Sequence, residues 1–567
     1  MTLSKHIDAD DLIQQAQDHP YLSFVQRPGG AKKRAAHSGP FGGRYQTQEL
    51  PKYSFPSIGI SDDAAYQLIS SELALDGRPT LNLASFVHTY MNSAATKLIM
   101  ENISVNLADQ DEYPATMTIH GRCISMLADL WHAPKEIDPA TGKRHGAMGT
   151  ATAGSSEAIM LGGLAMKKRW QEKMKAAGKD YKNPGPNVVF GSNAQVAIEK
   201  FARYFDVEER LVPISKESHY CFDPKKAIKM VDENTIGAII ILGSTYTGHF
   251  EPVKEMADLL DEYEKNAGHD IPIHVDGASG AMVAPFAFPD LEWDFKIPRV
   301  KSINTSGHKF GMVYCGIGWI IWRSADFLPK DLIFELHYLG SVEYSFNLNF
   351  SRPAAPVLGQ YYNFINLGFE GYRNVMMDDL KNARIFSRAL EASGYYEVLS
   401  DIHRPASVIA SADTKVGSFD ESECRNYAPG LPVVSFKWTD GFKTKYPHLQ
   451  QHWIQTLLRV KGWIVPNYSL SAPMTDVEIL RVVVRENLSE DMIDLLVHDL
   501  MSITESLTDN SSPEASLASV ISKSNKTTAD KHAHGPTNIP HHKHHPRHQH
   551  SLEKGSGTKA VGYAKQC

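Results

Sequence analysis

Between about residues 148 and 322 the chain alternates short apolar runs with longer amphipathic ones, and few folds accommodate that pattern. The apolar runs are Asn187-Val188-Val189-Phe190, Arg210-Leu211-Val212-Pro213, Gly237-Ala238-Ile239-Ile240-Ile241-Leu242, Ile271-Pro272-Ile273-His274-Val275 and Gly316-Ile317-Gly318-Trp319-Ile320-Ile321-Trp322. Several are apolar without interruption, as in strands covered on both faces, and the intervening segments suit crossover helices. This predicts a large α/β domain with a mostly parallel sheet, in which ligands sit beyond the carboxyl ends of the strands.

Other elements flank this domain. Ser61-Asp62-Asp63 reads as a helix N-cap followed by Ala64, Leu68, Ile69 and Leu73 at helical spacing. A helix is predicted over 115–133, and a long one over 370–394 that bridges to a smaller α+β domain. Strands are expected there at 432–437, 462–465 and 479–484. The resulting division is an N-terminal arm at 1–60, a large domain at 61–370, a bridging helix with a small C-terminal domain at 371–507, and a disordered tail at 508–567. A chain of 567 residues has room for two or three domains. The tail is rich in Ser, Thr, Lys and His, including His541-His542-Lys543-His544-His545. A solvated tail is the favoured reading over a pH-sensing or metal-binding one.

Charge and cysteine usage exclude several function classes. A net charge of -7 argues against nucleic acid as the main partner. Five cysteines without CxxC pairing indicate neither a disulfide framework nor a zinc site, so no metal is expected and a reducing compartment fits. No apolar run approaches the roughly 20 residues of a membrane span, and the acidic N-terminus has no secretion-signal core. A cytoplasmic protein without a membrane partner is expected.

Three stretches carry chemistry. Gly149-Thr150-Ala151-Thr152-Ala153-Gly154-Ser155-Ser156-Glu157-Ala158 is a glycine- and hydroxyl-rich turn leading into a helix, and free amides at a helix N-terminus bind phosphate. His274-Val275-Asp276 places an acid at the end of an apolar strand, where a carboxylate can keep a pyridine nitrogen protonated. Ser302-Ile303-Asn304-Thr305-Ser306-Gly307-His308-Lys309-Phe310 ends in a lysine able to hold an aldehyde when burial keeps its amine neutral. In this order within one α/β domain, the three point to pyridoxal phosphate.

With these stretches, Asp111-Glu112-Tyr113-Pro114, Leu130-Trp131-His132-Ala133-Pro134, Thr245-Tyr246-Thr247-Gly248 and Asn349-Phe350-Ser351-Arg352-Pro353, the chain resembles the glutamate decarboxylases from about residue 50 to 510. These are group II pyridoxal-phosphate-dependent enzymes of the aspartate-aminotransferase-like fold (fold type I). The resemblance implies that Lys309 holds pyridoxal 5'-phosphate as a Schiff base with His308 beside it, and that Ser155, Ser156 and Ser306 hold the phosphate. Asp276 would pair with the pyridine nitrogen, Gln195 and Ala278 would sandwich the ring, and Thr245 would bond near its 3-hydroxyl. Ser351 would reach the phosphate from a neighbouring subunit, making a homodimer the minimal unit, with a hexamer also open.

For L-glutamate, the resemblance implies Ser85, the Phe86 amide, Asn106 and Asp109 (the last two from the partner chain) at the distal carboxylate, and Arg481 at the substrate carboxylate. Tyr338 and Leu339 match a mobile loop over the site. The implied reaction releases carbon dioxide and forms 4-aminobutyrate. Two other readings are a same-fold decarboxylase or lyase for another acidic amino acid, and a catalytically silent interaction protein. Some relatives end in a calmodulin-binding helix, but here the only apolar cluster of the tail (Leu517, Val520, Ile521) is short and lacks Trp, so calmodulin is not expected.

Overall fold

The computed structural model describes residues 53–135, 147–336, 343–406 and 423–510, with Ser512 and Ala515. The arm before residue 53, Tyr338 and Leu339, and the histidine-rich tail lie outside the described residues. Ahead of the main sheet come α1 (Asp62–Leu73), α2 (Ser93–Glu101) and α3 (Pro114–Leu130). Ser61 caps α1 as its sequence indicates, its Oγ accepting from the Ala64 N–H at 3.4 Å.

The main sheet has seven strands in the order β1-β7-β6-β5-β4-β2-β3. They are β1 (Met148–Thr152), β2 (Asn187–Gly191), β3 (Glu208–Val212), β4 (Thr235–Ile241), β5 (Ile273–Asp276), β6 (Val300–Thr305) and β7 (Gly318–Trp322). Only β7 runs against the others, pairing antiparallel with β1 and β6. The crossovers include α4 (Ser155–Ala176), α5 (Val196–Tyr204) and α6 (Val253–Ala267).

Alternation along the strands divides the core between the two faces. Val188, Phe190, Ile239 and Ile241 pack with Ile159, Met166, Trp170 and Phe201 of α4 and α5. Their neighbours Val189, Ala238 and Ile240 belong to the larger core that contains Met256 and Leu260 of α6 and Leu127 of α3. Strands apolar on both sides therefore sit between helical layers, which is why their sequences read as unbroken apolar runs.

After a short hairpin of β8 (Phe334–Leu336) and β9 (Glu343–Ser345), α7 (Ala355–Ala392) begins well before the expected residue 370. Its helical dihedrals break at Gly368, where φ is 60° and ψ -170°. A second, antiparallel sheet of β10 (Tyr396–Val398), β11 (Val433–Trp438), β12 (Asn467–Ser469) and β13 (Glu478–Val483) follows in the order β10-β11-β13-β12. The helices α8 (His452–Val460) and α9 (Glu490–Asn510) accompany it.

Two sequence expectations are corrected. The run 462–465 is not a strand: Trp463 is buried with its Nε1–H donating to Asp499 of α9 at 2.9 Å, Ile464 makes one isolated bridge to Asn82, and the ladder starts only at Asn467. Gly149–Thr152, read as turn, is strand β1, because its backbone pairs with β7 and leaves only Ala153 and Gly154 to turn into α4.

That turn depends on Gly318 in β7. A Cβ built on Gly318 would collide with the Gly154 backbone, which has no flexible end to give way. Gly318→Ala should therefore cost about 1–3 kcal/mol, read as a lower urea midpoint of unfolding; an unchanged midpoint would show that the turn yields freely.

Candidate active site

Because β1, β2, β4, β5 and β6 run in one direction, their carboxyl ends meet on one edge of the sheet. A cavity of about 520 Å³ opens there. Ser155 and Ser156 reach it from the start of α4, Gln195 from the turn after β2, and Thr245 from the turn after β4. Asp276 and Ala278 come from the end of β5, and Ser306, His308 and Lys309 from the end of β6. The three sequence stretches thus converge, although more than 150 residues separate Ser155 from Lys309.

Asp276 is buried, and its Oδ1 accepts from the Ala278 N–H at 3.1 Å and from Asn304 Nδ2 at 2.9 Å. Behind it, Asn304 Oδ1 lies 2.8 Å from His274 Nε2, and His274 Nδ1 lies 2.7 Å from Ser302 Oγ. The bonds form a consistent chain when His274 is neutral, with Nε2–H donating to Asn304 and Nδ1 accepting from the Ser302 hydroxyl. Burial pushes the His274 pKa down, which favours that neutral form although Asp276 pulls the other way.

Lys309 Nζ lies 3.4 Å from Ser279 Oγ and 5.3 Å from the centre of the Phe86 ring. Burial, followed by the Arg481 charge, lowers its pKa, while Asp276 opposes the shift. A larger share of neutral amine results. His308 Nδ1 accepts from the Ile317 N–H at 3.3 Å, and burial together with Lys309 takes its pKa down to about 4.

The residues implied for substrate lie beside this cavity or apart from it. Arg481 is buried in β13, its guanidinium 5.0 Å from the Phe86 ring centre. It donates to the carbonyls of Thr245, at 2.8 Å, and Ala84. Ser85 Oγ accepts from the Val87 N–H at 3.1 Å. Asn106, Asp109 and Ser351 are absent from the cavity lining. Asn106 Nδ2 donates to Asp109 Oδ1 at 3.2 Å, and its Oδ1 accepts from the Arg352 N–H at 3.0 Å, so these two segments meet beside Ser351.

Sequence reasoning missed Glu157, Ser279 and the Asn304–His274–Ser302 support of Asp276. Glu157 is buried and accepts from the N–H groups of Ala153, Leu348 and Asn349 at 2.8, 3.0 and 3.2 Å. It thereby ties the cavity wall at 348–349 to the turn before α4. An acid among small residues at a helix start was the available signal, but acids are common there as helix-dipole partners.

The residues present fit pyridoxal phosphate. α4 starts without a side-chain cap, leaving its first amides free, and Ser306 Oγ is buried without a hydrogen-bond partner among the described residues. Both are suited to phosphate oxygens. Asp276 supplies a fixed carboxylate and Lys309 an amine at the same cavity.

Asn304→Ala should weaken cofactor retention about 10–100-fold, since a hydrogen bond to a charged group contributes about 1.5–3 kcal/mol; absorbance titration with pyridoxal phosphate measures this, and unchanged retention would count against Asn304 as a support. His120, whose Nε2 accepts from the Ala151 N–H at 2.9 Å, is held by burial and by Arg352 at a pKa of about 4, like His308. An unfolded histidine titrates near 6.5. Below that pH the unfolded state takes up protons that the folded state refuses, so stability present above pH 6.5 is lost as the pH falls toward 4. Unfolding midpoints across this range should fall less steeply for His120→Asn than for the native protein, and parallel slopes would contradict the assignment.

Residues 61–409 match the family described as the pyridoxal-dependent decarboxylase conserved domain. The chain is 48% identical over 475 residues to the glutamate decarboxylase of Saccharomyces cerevisiae, covering 80% of this chain and 79% of that protein. It is 46% identical over 468 residues to the glutamate decarboxylase of Solanum lycopersicum, covering 82% and 85%. Among solved structures, the Lactobacillus brevis glutamate decarboxylase superposes with a TM-score of 0.72 at 35% identity, over 81% of this chain and 96% of that one. With this likeness in sequence and fold, and a cavity whose lysine, aspartate and helix N-terminus suit the cofactor, the chain belongs to the pyridoxal-dependent decarboxylase family.

Proposed function

We propose that the protein decarboxylates L-glutamate to 4-aminobutyrate and carbon dioxide with pyridoxal 5'-phosphate as cofactor. The observation that carries this reading is the position of Lys309, its amine at the cofactor cavity and 5.3 Å from the centre of a Phe86 ring that the Arg481 guanidinium also approaches, at 5.0 Å. When bound, the cofactor supplies an electron sink for the pair left at Cα as carbon dioxide departs.

The protein's residues do the rest. Lys309 would hold the cofactor through its amine, which burial keeps neutral often enough to react and to be displaced by the substrate amine. Asp276, fixed by Asn304 and the Ala278 N–H, would keep a proton on the pyridine nitrogen. The N-terminus of α4, with Ser155, Ser156 and Ser306, would receive the phosphate, and Gln195, Ala278 and Thr245 would border the ring. Arg481 would attract a substrate carboxylate and, through the Ala84 carbonyl, steady the segment bearing Ser85 and Phe86. A proton replaces the departing carboxylate at Cα, so each turnover consumes one, and the resemblance to glutamate decarboxylases suggests activity favoured on the acid side.

We infer a homodimer as the minimal active unit. Asn106, Asp109 and Ser351 lie together on segments joined by the Asn106–Pro353 bridge, off the cavity of their own chain, which supports their serving a neighbour's site. Cytoplasmic residence is part of this reading, supported by the unpaired cysteines Cys123, Cys221, Cys315 and Cys424. Among the described residues no helix is long and apolar enough to cross a membrane.

The test is an assay of carbon dioxide and 4-aminobutyrate from glutamate. Lys309→Ala should lower the rate by at least about 1,000-fold, as removal of a covalently acting residue does. If the native protein, fully loaded with cofactor, makes neither product from glutamate, the proposal is wrong; products from another acidic amino acid instead would redirect it to that substrate.

A further inference from the structure

Away from the cofactor cavity, side chains from three distant segments meet on one carboxylate oxygen. His219, beyond β3, brings Nδ1 to 2.8 Å from Asp401 Oδ2, and His249, in the turn after β4, brings Nε2 to 2.9 Å from the same oxygen. The three atoms lie within 4.8 Å of one another. The imidazole rings are 5.9 Å apart and inclined at 53°, so their nitrogens converge without the rings stacking.

The surroundings hold each group in this arrangement. His249 Nδ1 lies 2.8 Å from Oγ1 of the fully buried Thr247, which fixes the nitrogen that faces Asp401. An outer partner of this kind orients metal-binding histidines. Asp401 uses its other oxygen, Oδ1, to accept from Arg404 Nε at 2.9 Å, leaving Oδ2 to the histidines. Part of the Arg404 charge is met by Glu391, also at 2.9 Å. His219 and Tyr220 both have positive φ, 52° and 58°. Such backbone is costly for two successive non-glycine residues and is found where a site demands it.

We propose that His219 Nδ1, His249 Nε2 and Asp401 Oδ2 bind one divalent ion of the zinc class, with water as a fourth ligand. Nitrogen and carboxylate donors suit zinc and its neighbours better than magnesium or calcium. Zinc sits about 2.0–2.2 Å from such ligands, so the two nitrogen–oxygen spacings of 2.8 and 2.9 Å need to open by only about half an ångström to admit it. The His219 side chain is 52% exposed, which gives the ion a route in and the water a place.

The ion has a structural task. The turn Ser244–His249 closes through the Ser244 N–H donating to the His249 carbonyl at 2.8 Å, and it carries Thr245 at the wall of the cofactor cavity. Asp401 follows β10 in the second sheet. Metal binding would therefore fasten this cavity wall to that sheet without any ligand facing the cavity.

The test uses the full-length holoenzyme, freed of metal by a chelator and titrated with Co²⁺ and then Zn²⁺. Because the histidine-rich stretch 532–545 can also take metal, the titration is run beside His219→Asn and Thr247→Val in the same full chain. Asn tolerates the left-handed backbone at 219 but removes the imidazole. The native protein should show a four-coordinate Co²⁺ absorption band that one equivalent of Zn²⁺ abolishes, and a Zn²⁺-dependent rise in its thermal midpoint. His219→Asn should lose the band, the midpoint rise and one equivalent of metal. Thr247→Val should keep the stoichiometry with about 10–100-fold weaker affinity, and it carries the test should His219→Asn fail to fold. Equal metal uptake, affinity and spectra in the native protein and the variants, with binding confined to the tail, would overturn the proposal.

Discussion

A buried carboxylate is the constraint on which the cavity depends. Asp276 is buried within the sheet, where a carboxylate needs partners to replace the water it has lost. Asn304 and the Ala278 N–H supply those contacts, and the chain through His274 to Ser302 fixes Asn304 in turn. Every member of that chain lies on β5 or β6, so strand pairing and charge placement are one structural decision. The register that sets Asp276 opposite Asn304 also sets His274 opposite Ser302.

From that fixed acid the other parts of the site are reached through short connections. Ser306 donates its N–H to the Ala278 carbonyl at 3.0 Å, tying the turn after β6 to the turn after β5, and Lys309 follows within the same turn. On the far side of the cavity, β7 presses Gly318 against Gly154, and Glu157 binds the segment 348–349 to the start of α4. Cofactor chemistry needs such rigidity, because a phosphate, a ring nitrogen and an aldehyde must be met at once.

The second sheet contributes through arginines whose charges face inward. Arg481 reaches across to the Thr245 and Ala84 carbonyls, and Arg485 donates to the carbonyls of Val87 and Asn82. Both therefore brace the segment 82–87, which carries Ser85 and Phe86. The turn holding Thr245 is also gripped by Ser435, which donates to the Tyr246 carbonyl, and by Ser400, which donates to the Thr247 carbonyl at 2.8 Å. Substrate side and cofactor side thus share one braced turn, the same turn that ends at His249.

Much of this was legible in the sequence. Unbroken apolar runs marked β2, β4 and β7, since strands covered on both faces have no polar side to show. Ser61 announced α1, Asp276 stood visibly at the end of an apolar strand, and Lys309 closed a run of small residues. The strand β6 was not legible, because Ser302, Asn304 and Thr305 look like loop when read locally; they are buried in a sheet because His274 and Asp276, on another strand, satisfy Ser302 and Asn304. The Gly462–Val465 run misled for the opposite reason, being apolar enough for a strand while its backbone makes only the isolated bridge of Ile464 to Asn82. His219, His249 and Asp401 carried no signal at all, lying up to 182 residues apart. The sequence by itself determined element types and the identities of the acid, the amine and the phosphate turn, because hydrophobic periodicity and side-chain chemistry are local. Only the tertiary structure decided which polar groups lose water together and which partners replace it, because desolvation depends on neighbours that the chain brings in from far away.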